Sequence, residues 1–471
     1  MTTTALRLPE PRILFSAPWE PVVSRRGDAL GLRDFAESLS DAVAPQLTNR
    51  ISDGRWITIL AWCLTRSNDV SHVVAPGSTS AREAQERRYA WLRPLELMWV
   101  ARTIHQAKNW RARPLNGMRR VRRWVQDDDQ KPPTFGMTLD QYSRYRQTGM
   151  YGGYRRAFRK LDGLTVHGDG WTPGKTSIAL ATWLDGKLGL ARPGWELGSD
   201  METIDRFSSR SISRFVGRED KWWLEHWGEF LTASRGSDMN TLPRTRGEHS
   251  PLPEARLLQP LLFGGSQGAP GFHRSAVAQC LSHADVVSHS EACEALAAHF
   301  KGNTRIAALP VFSRLADAGM AVMRRITIAL FTEPATPLSQ VVGHPGMREA
   351  CAELHDAAKA WRQSPHTALG RAESVNRFAE RFMHRSPVET VRALLEHHEA
   401  RGGGLRWFVL RDDRVEPRSF DLSGGSAYRF RLWNVCRLAV QCGVIPEMPA
   451  AFRHDAEADV EREDADEEPV S

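Results

Sequence analysis

Between Thr138 and Leu184 the chain strings together patterns that leave few ways to fold. Thr138-Leu-Asp-Gln141 has the spacing of a capping box and opens a helix with Leu139, Tyr142 and Tyr145 on one side. Residues 148–153, with three glycines, form a turn. Tyr154, Ala157, Phe158 and Leu161 follow at i, i+3, i+4 and i+7, the buried stripe of a second helix. Arg155, Arg156, Arg159 and Lys160 fall on its outer side. Asp162-Gly163 ends that helix, and Leu164–Val166 can pair with Trp171-Thr172 across His167-Gly-Asp-Gly170. Thr172-Pro173 starts a third helix, threonine as cap and proline in the first turn. Helix, turn, basic helix, hairpin, helix is the order of a winged helix-turn-helix. That fold sets its second helix in a major groove with the hairpin beside it on the backbone. A winged helix used only for protein contacts has the same order.

Helical periodicity dominates the rest. Residues 28–44 carry Leu32, Phe35, Ala36 and Leu39 at helical spacing; 45–49 break the pattern and 51–65 resume it. Residues 67–80 read as a polar loop and 81–107 as a long helix kinked at Pro94. Helices are expected again over 311–331, 347–361, 372–382 and 387–400, the last opened by Ser386-Pro-Val-Glu389. The period changes only near the end: 405–410 and 415–422 are strand-like around a turn at 411–414, before a helix over 428–443. The expected fold is therefore mainly α: a multi-domain helical protein with a central winged helix-turn-helix and a small C-terminal α+β piece. Composition shifts divide it into a helical domain (1–126), a winged-helix domain with following helices (136–232), a helical domain (255–400), the α+β segment (401–453) and a disordered acidic tail (454–471).

Charge is the second constraint. Residues 102–175 hold 16 Lys and Arg against 6 Asp and Glu, more net positive charge than the +7 of the entire chain. Residues 455–471 carry nine carboxylates and one arginine, so the remainder is more basic still. Such a body attracts polyanions, and the acidic tail can compete for the same surface. Within the basic stretch, residues 116–125 form a second amphipathic helix with Met118, Val121 and Val125 inward and Arg119, Arg122 and Arg123 outward. Trp110 and Trp124 accompany them, and arginine with aromatic side chains can hold a backbone and stack bases. The candidate nucleic-acid-binding residues are Arg119, Arg122, Arg123, Arg155, Arg156, Arg159, Lys160 and Lys175.

Catalytic motifs are weaker. Gly168–Thr176, GDGWTPGKT, resembles a phosphate-binding loop, but Asp169 stands five before Gly174 where a glycine is required. Glu219-Asp-Lys221 with Asp200 or Asp205 echoes metal-dependent nucleases, yet its flanks read as helix rather than adjacent strands. Arg377 and His384 match a ribonuclease-like spacing that an arginine-rich chain meets by chance. His397-His398-Glu399 can bind a metal or phosphate, or simply complement a helix C-terminus. Six scattered cysteines without a C-x-x-C pair argue against a disulfide framework and a thiolate zinc site. The longest apolar run, residues 56–64, is far short of a membrane span, and no export signal is visible. No cofactor, metal or catalytic residue is assigned, and a cytoplasmic location is expected.

Short motifs spread along the chain resemble a loosely defined, mostly uncharacterised bacterial family of phage-defence and mobile-element loci. They are Gly31-Leu32, Pro45-Gln-Leu-Thr-Asn-Arg50, Gly54-Arg-Trp56, Ala61-Trp62, Leu115-Asn-Gly117, the Gly149 to Tyr154 turn, Gly163-Leu-Thr165, Trp171-Thr-Pro-Gly174, and His398 with Gly402-Gly403 and Trp407. Trp56-Ile-Thr-Ile stands where members usually carry an Arg/Tyr-rich run. The resemblance implies DNA-directed defence beside a helicase, nuclease or methylase, and brings no catalytic residues with it. The expectation is a DNA-binding, non-catalytic subunit of a bacterial antiphage complex with helicase or nuclease partners. The alternatives are a metal-dependent nuclease or hydrolase near Glu219 or His398, and a protein-binding scaffold.

Overall fold

The computed structural model describes residues 28–49, 51–74, 154–166, 172–187, 251–330, 335–383, 385–400, 407–418 and 425–453, with Leu92 and Glu96. Expected elements at 116–125, 138–147 and 221–231 lie outside these. The described residues are mainly helical. The helices, in chain order, begin with α1 (Arg33–Val43), α2 (Gly54–Val74), α3 (Arg155–Lys160) and α4 (Lys175–Lys187). Next come α5 (Ala255–Phe263), α6 (Pro270–His283), α7 (His289–His299), α8 (Thr304–Ala307) and α9 (Leu309–Ala329). The series closes with α10 (Leu338–Gly343), α11 (Met347–Gln363), α12 (Glu373–Phe382), α13 (Pro387–Ala400) and α14 (Leu432–Gln441). Three short strands, β1 (Thr336–Pro337), β2 (Phe408–Arg411) and β3 (Arg414–Pro417), make one sheet in the order β1-β3-β2.

Contacts divide the chain into two compact units built from interleaved segments. The larger takes Asp34–Ser313, Ala368–Arg371 and Ser426–Ser471. Its core gathers Phe35, Leu39, Ile57, Leu60, Trp62, Leu258, Val277, Leu296 and Phe312, all buried. Phe35 meets the Phe312 ring edge-on at 5.1 Å between centroids. Helix α2 continues through Val74, so residues 67–74 are helix and not the expected loop. The Ser67 hydroxyl explains part of this: it donates to the Leu64 carbonyl within the helix at 2.9 Å instead of diverting the chain. Arg274 on α6, 1% exposed, donates to the carbonyls of Leu262 at the end of α5 and of Pro45 in the α1–α2 turn, both at 2.6 Å. One buried guanidinium thus satisfies a helix end and a loop together. Burial lowers its pKa to about 10, which leaves it charged at neutral pH.

The smaller unit takes Met1–Arg33, Arg314–Thr367 and Ala372–Gly425. The box at the start of α13 forms reciprocally: the Ser386 amide donates to Glu389 Oε2 at 2.9 Å, and the Glu389 amide to Ser386 Oγ at 3.4 Å. Between β2 and β3 the turn places Asp412 and Asp413 at φ of 46° and 59°. Paired positive φ values are what a two-residue hairpin needs to match strand twist. Thr336-Pro337 adds a third strand, Thr336 pairing with Val415. Trp361 on α11 donates from Nε1 to Asn376 Oδ1 on α12 at 2.9 Å.

The segment Thr304–Ala329 is the one helix among the described residues long and apolar enough to cross a bilayer by length and composition. Two-thirds (67%) of its apolar window is buried within the protein, which is how a core helix behaves.

Candidate nucleic-acid interface

The basic helix forms where the apolar stripe demands it. Tyr154, Ala157, Phe158 and Leu161 are all buried, while Arg159 and Lys160 at the end of α3 are exposed. Leu161 ends the helix in an extended conformation, and Gly163 turns the chain at φ +88°. A Cβ at Gly163 would lie 2.5 Å from Thr176 Oγ1, so only glycine fits the turn. Residues 164–166 and 172–174 then run antiparallel: the Val166 amide donates to the Thr172 carbonyl at 2.8 Å, and the Gly174 amide to the Leu164 carbonyl at 2.9 Å.

This pairing moves the expected helix start. Thr172 and Pro173 stay extended in the ladder, and α4 begins at Lys175, so Thr172 is not its cap. The Gly163 carbonyl instead accepts from the Thr176 and Ser177 amides at 2.9 and 3.4 Å. Gly174 is needed because a Cβ there would sit 2.3 Å from that same carbonyl oxygen. Gly174 and Thr176 of the GDGWTPGKT stretch, with the following Ser177, therefore spend their amides on the carbonyls of Gly163 and Leu164, and these amides are not a phosphate cradle. Ser177 Oγ donates to the Leu164 carbonyl and Thr165 Oγ1 to the Phe158 carbonyl, closing the corner from inside at 2.6 and 2.8 Å.

Helix α4 is anchored by its other end. Leu180, Ala181 and Leu184 are buried, and Asp185 accepts from Trp62 Nε1 of α2 at 2.7 Å and pairs with Arg66. Its outer side shows Lys175 and Ile178, the latter 48% exposed. Lys160 precedes Gly163 by three residues, and Lys175 precedes Thr176, whose amide Gly163 holds. The described corner thus carries exposed Arg159, Lys160 and Lys175. Arg155 and Arg156 belong to the same helix. Arg119, Arg122 and Arg123 lie outside the described residues, as do Asp200, Asp205, Glu219, Lys221 and His384.

The histidine pair resolves differently. His397 Nε2 bonds the Leu30 carbonyl at 2.8 Å, and His398 Nδ1 the Ala29 carbonyl at 3.1 Å. The Trp407 amide donates to His398 Nε2 at 2.8 Å, which fixes a neutral ring with its proton on Nδ1. With both nitrogens engaged and the side chain buried, His398 is a clamp on the chain and not a metal ligand or acid–base group. Arg377, in turn, lies 3.9 Å from Glu373 on an exposed helix face.

A polar network invisible to periodicity surrounds the start of α2. Asp53, Arg55, Thr58, Glu254 and Gln441 are all buried. Gln441 Oε1 accepts from the Gly54 amide at 2.8 Å, Arg437 pairs with Asp53 at 3.1 Å, and Thr58 reaches Glu254 at 3.2 Å. Burial pushes the Glu254 carboxyl above its ordinary value, although the neighbouring Arg55 charge opposes this. Arg431, 1% exposed in its side chain, pairs with Glu37 and Asp41 and donates to Asn49 Oδ1 at 3.1 Å. Asn49 of the Pro45–Arg50 motif and Gly54-Arg55 of the Gly54–Trp56 motif thus fall in a structural network that joins α1, α2 and α14. No sequence signal announces it, because its partners are separated by hundreds of residues.

Burial pushes the thiols of Cys280, Cys351, Cys436 and Cys442 upward, so they stay protonated at neutral pH and are poor nucleophiles. Among the described residues no three His, Cys, Asp or Glu side chains gather as a metal ion would need. Comparisons with protein-family models, with curated protein sequences and with solved structures found no match.

Proposed function

We propose that this protein is a DNA-binding, non-catalytic subunit of a bacterial antiphage complex, using residues 138–184 as a winged helix-turn-helix. The observation that carries the reading is the corner of α3 and α4, where Arg159, Lys160 and Lys175 are exposed over a buried stripe. Arg155 and Arg156 add charge on the same helix, and Arg119, Arg122 and Arg123 supply a second basic surface in sequence. Phosphate contacts of this kind give affinity and a strong salt dependence before any base is read. The resemblance to defence-locus proteins supplies the setting and partners of the helicase or nuclease class, and the scattered cysteines without a C-x-x-C pair favour a cytoplasmic location.

The test is duplex binding by fluorescence anisotropy across a salt series, for the natural chain and for a variant with Arg155, Arg156, Arg159, Lys160 and Lys175 each changed to Glu. The variant should lose at least tenfold in affinity at about 0.1 M salt. The slope of log affinity against log salt should fall by roughly 0.9 for each phosphate contact removed. Unchanged affinity in a folded variant would end this reading.

A further inference from the structure

The corner of α3 and α4 presents more than positive charge. Beside Lys160 and Lys175 it exposes two apolar side chains, Val166 at 50% and Ile178 at 48%. Val166 is on the paired segment whose partner strand leads into Lys175, and Ile178 is one turn along α4 from that lysine. A ligand that pairs with the lysines of this corner needs closely spaced anionic groups.

The chain carries such a segment. Asp455, Glu457, Asp459 and Glu461 alternate with Ala456, Ala458 and Val460, and five more carboxylates follow before Pro469. In an extended backbone the period of two puts those four carboxylates on one side and the three apolar side chains on the other. The segment begins directly after the 3-10 turn Ala450–Phe452, which belongs to the same unit as α3 and α4. Fully extended, residues 455–471 span roughly 55 Å, at up to about 3.4 Å per residue. The tether therefore reaches surface of its own unit that lies within about 55 Å of Phe452.

We infer that the acidic segment 455–471 docks on the Lys160–Lys175 corner of its own chain and competes there with nucleic acid. The competition rests on the DNA-binding reading above; the docking does not. Tethering supplies the segment at an effective concentration in the millimolar range, so weak ion pairing suffices to occupy the corner at low salt. Salt screens both ligands, but a duplex with its higher charge density displaces the segment where many phosphates engage at once.

Two measurements on the full-length chain test this. Zero-length carbodiimide coupling joins a carboxylate to a lysine amine only in contact; peptide mapping should find residues 455–468 linked to Lys160 or Lys175. Mixing two differently tagged copies tells links within one chain from links between copies. A full-length variant with the nine carboxylates changed to Asn or Gln should bind duplex roughly three- to tenfold more tightly at about 50 mM salt. The gain should disappear by about 0.3 M salt. Absence of links to both lysines, or links only between copies, overturns the docking. Links without any duplex binding by either form retain the docking and refute the DNA-binding reading. Duplex binding of equal strength in both forms, without links, refutes the docking and leaves that reading standing.

Discussion

His289 shows how one side chain ties this protein's stability to pH. It opens α7 after the Ser288 cap, stacks on Phe430 at 5.5 Å, and has no hydrogen-bond partner at Nε2. Burial pushes its pKa down to about 4; a hydrogen bond from the ring to the Arg429 carbonyl opposes the shift and the Arg429 charge adds to it. An unfolded histidine protonates near 6.5, so between about 6.5 and 4 the unfolded chain takes up a proton that the folded chain refuses. Stability must then fall as pH drops through that window, by about 2 kcal/mol at pH 5 for this group. Urea unfolding at pH 7 and pH 5 should show that loss, and His289→Phe, which keeps the stack, should shrink it by about the same amount. An equal pH dependence in the variant would show that His289 is not the source. Arg431 works in the opposite sense, as a buried charge that needs its partners. Arg431→Ala should cost about 2–3 kcal/mol and Arg431→Met less, measured by urea unfolding. Glu37 and Asp41 are over a third exposed, which keeps the cost below that of a fully buried pair.

At the scale of elements, the glycines at the basic corner decide the local fold. A Cβ at Gly174 meets the Gly163 carbonyl oxygen at 2.3 Å, and backbone on both sides leaves no flexible group to yield. Gly174→Ala should therefore open the 164–166/172–174 pairing, costing roughly 2 kcal/mol or more and raising hydrogen exchange at Val166, Thr176 and Ser177. If those amides stay as protected as in the natural chain, the close approach is not what holds the corner. At α13, Ser386→Ala should cost about 1 kcal/mol, since its hydroxyl accepts the Glu389 amide. These two sites also mark what the sequence discloses. The capping box, the stripe of Tyr154 to Leu161 and the boundaries of α9, α11, α12 and α13 follow from local chemistry, within a few residues. The start of α14 does not: residues 428–431 keep a helical pattern, yet Phe430 and Arg431 adopt φ of 49° and 60°. Arg431 turns there to meet Glu37, Asp41 and Asn49, a demand set by residues far away in sequence. Two-residue β1 escapes for a similar reason, because a Thr-Pro pair has no period of its own.

For the whole molecule, the decisive bonds of the larger unit span almost the entire chain. Asn434 Nδ2 donates to the carbonyls of Asn49 and Ile51 at 3.0 and 3.1 Å, and Gln441 holds the Gly54 amide across 387 residues. Closing a flexible loop of that length costs about 5 kcal/mol of chain entropy, which local helix formation in α1 and α2 does not repay. The network of Arg431, Asn434, Arg437 and Gln441 must arrive together for the start of α2 to bury Asp53 and Arg55. A chain ending after Gly425 lacks all four partners, and Asp53 loses the Arg437 guanidinium that pairs with it. In that chain the amides of residues 54–68 should exchange as in an unfolded segment, whereas a chain ending after Arg453 should protect them as the full one does. Protection of α2 in the shorter chain would mean that its packing on α4, through Trp62 and Asp185, suffices without closure from α14. Because the stabilising contacts are non-local, α2 should also gain protection late in pulse-labelled refolding, after α11 and α12, whose contacts are close in sequence.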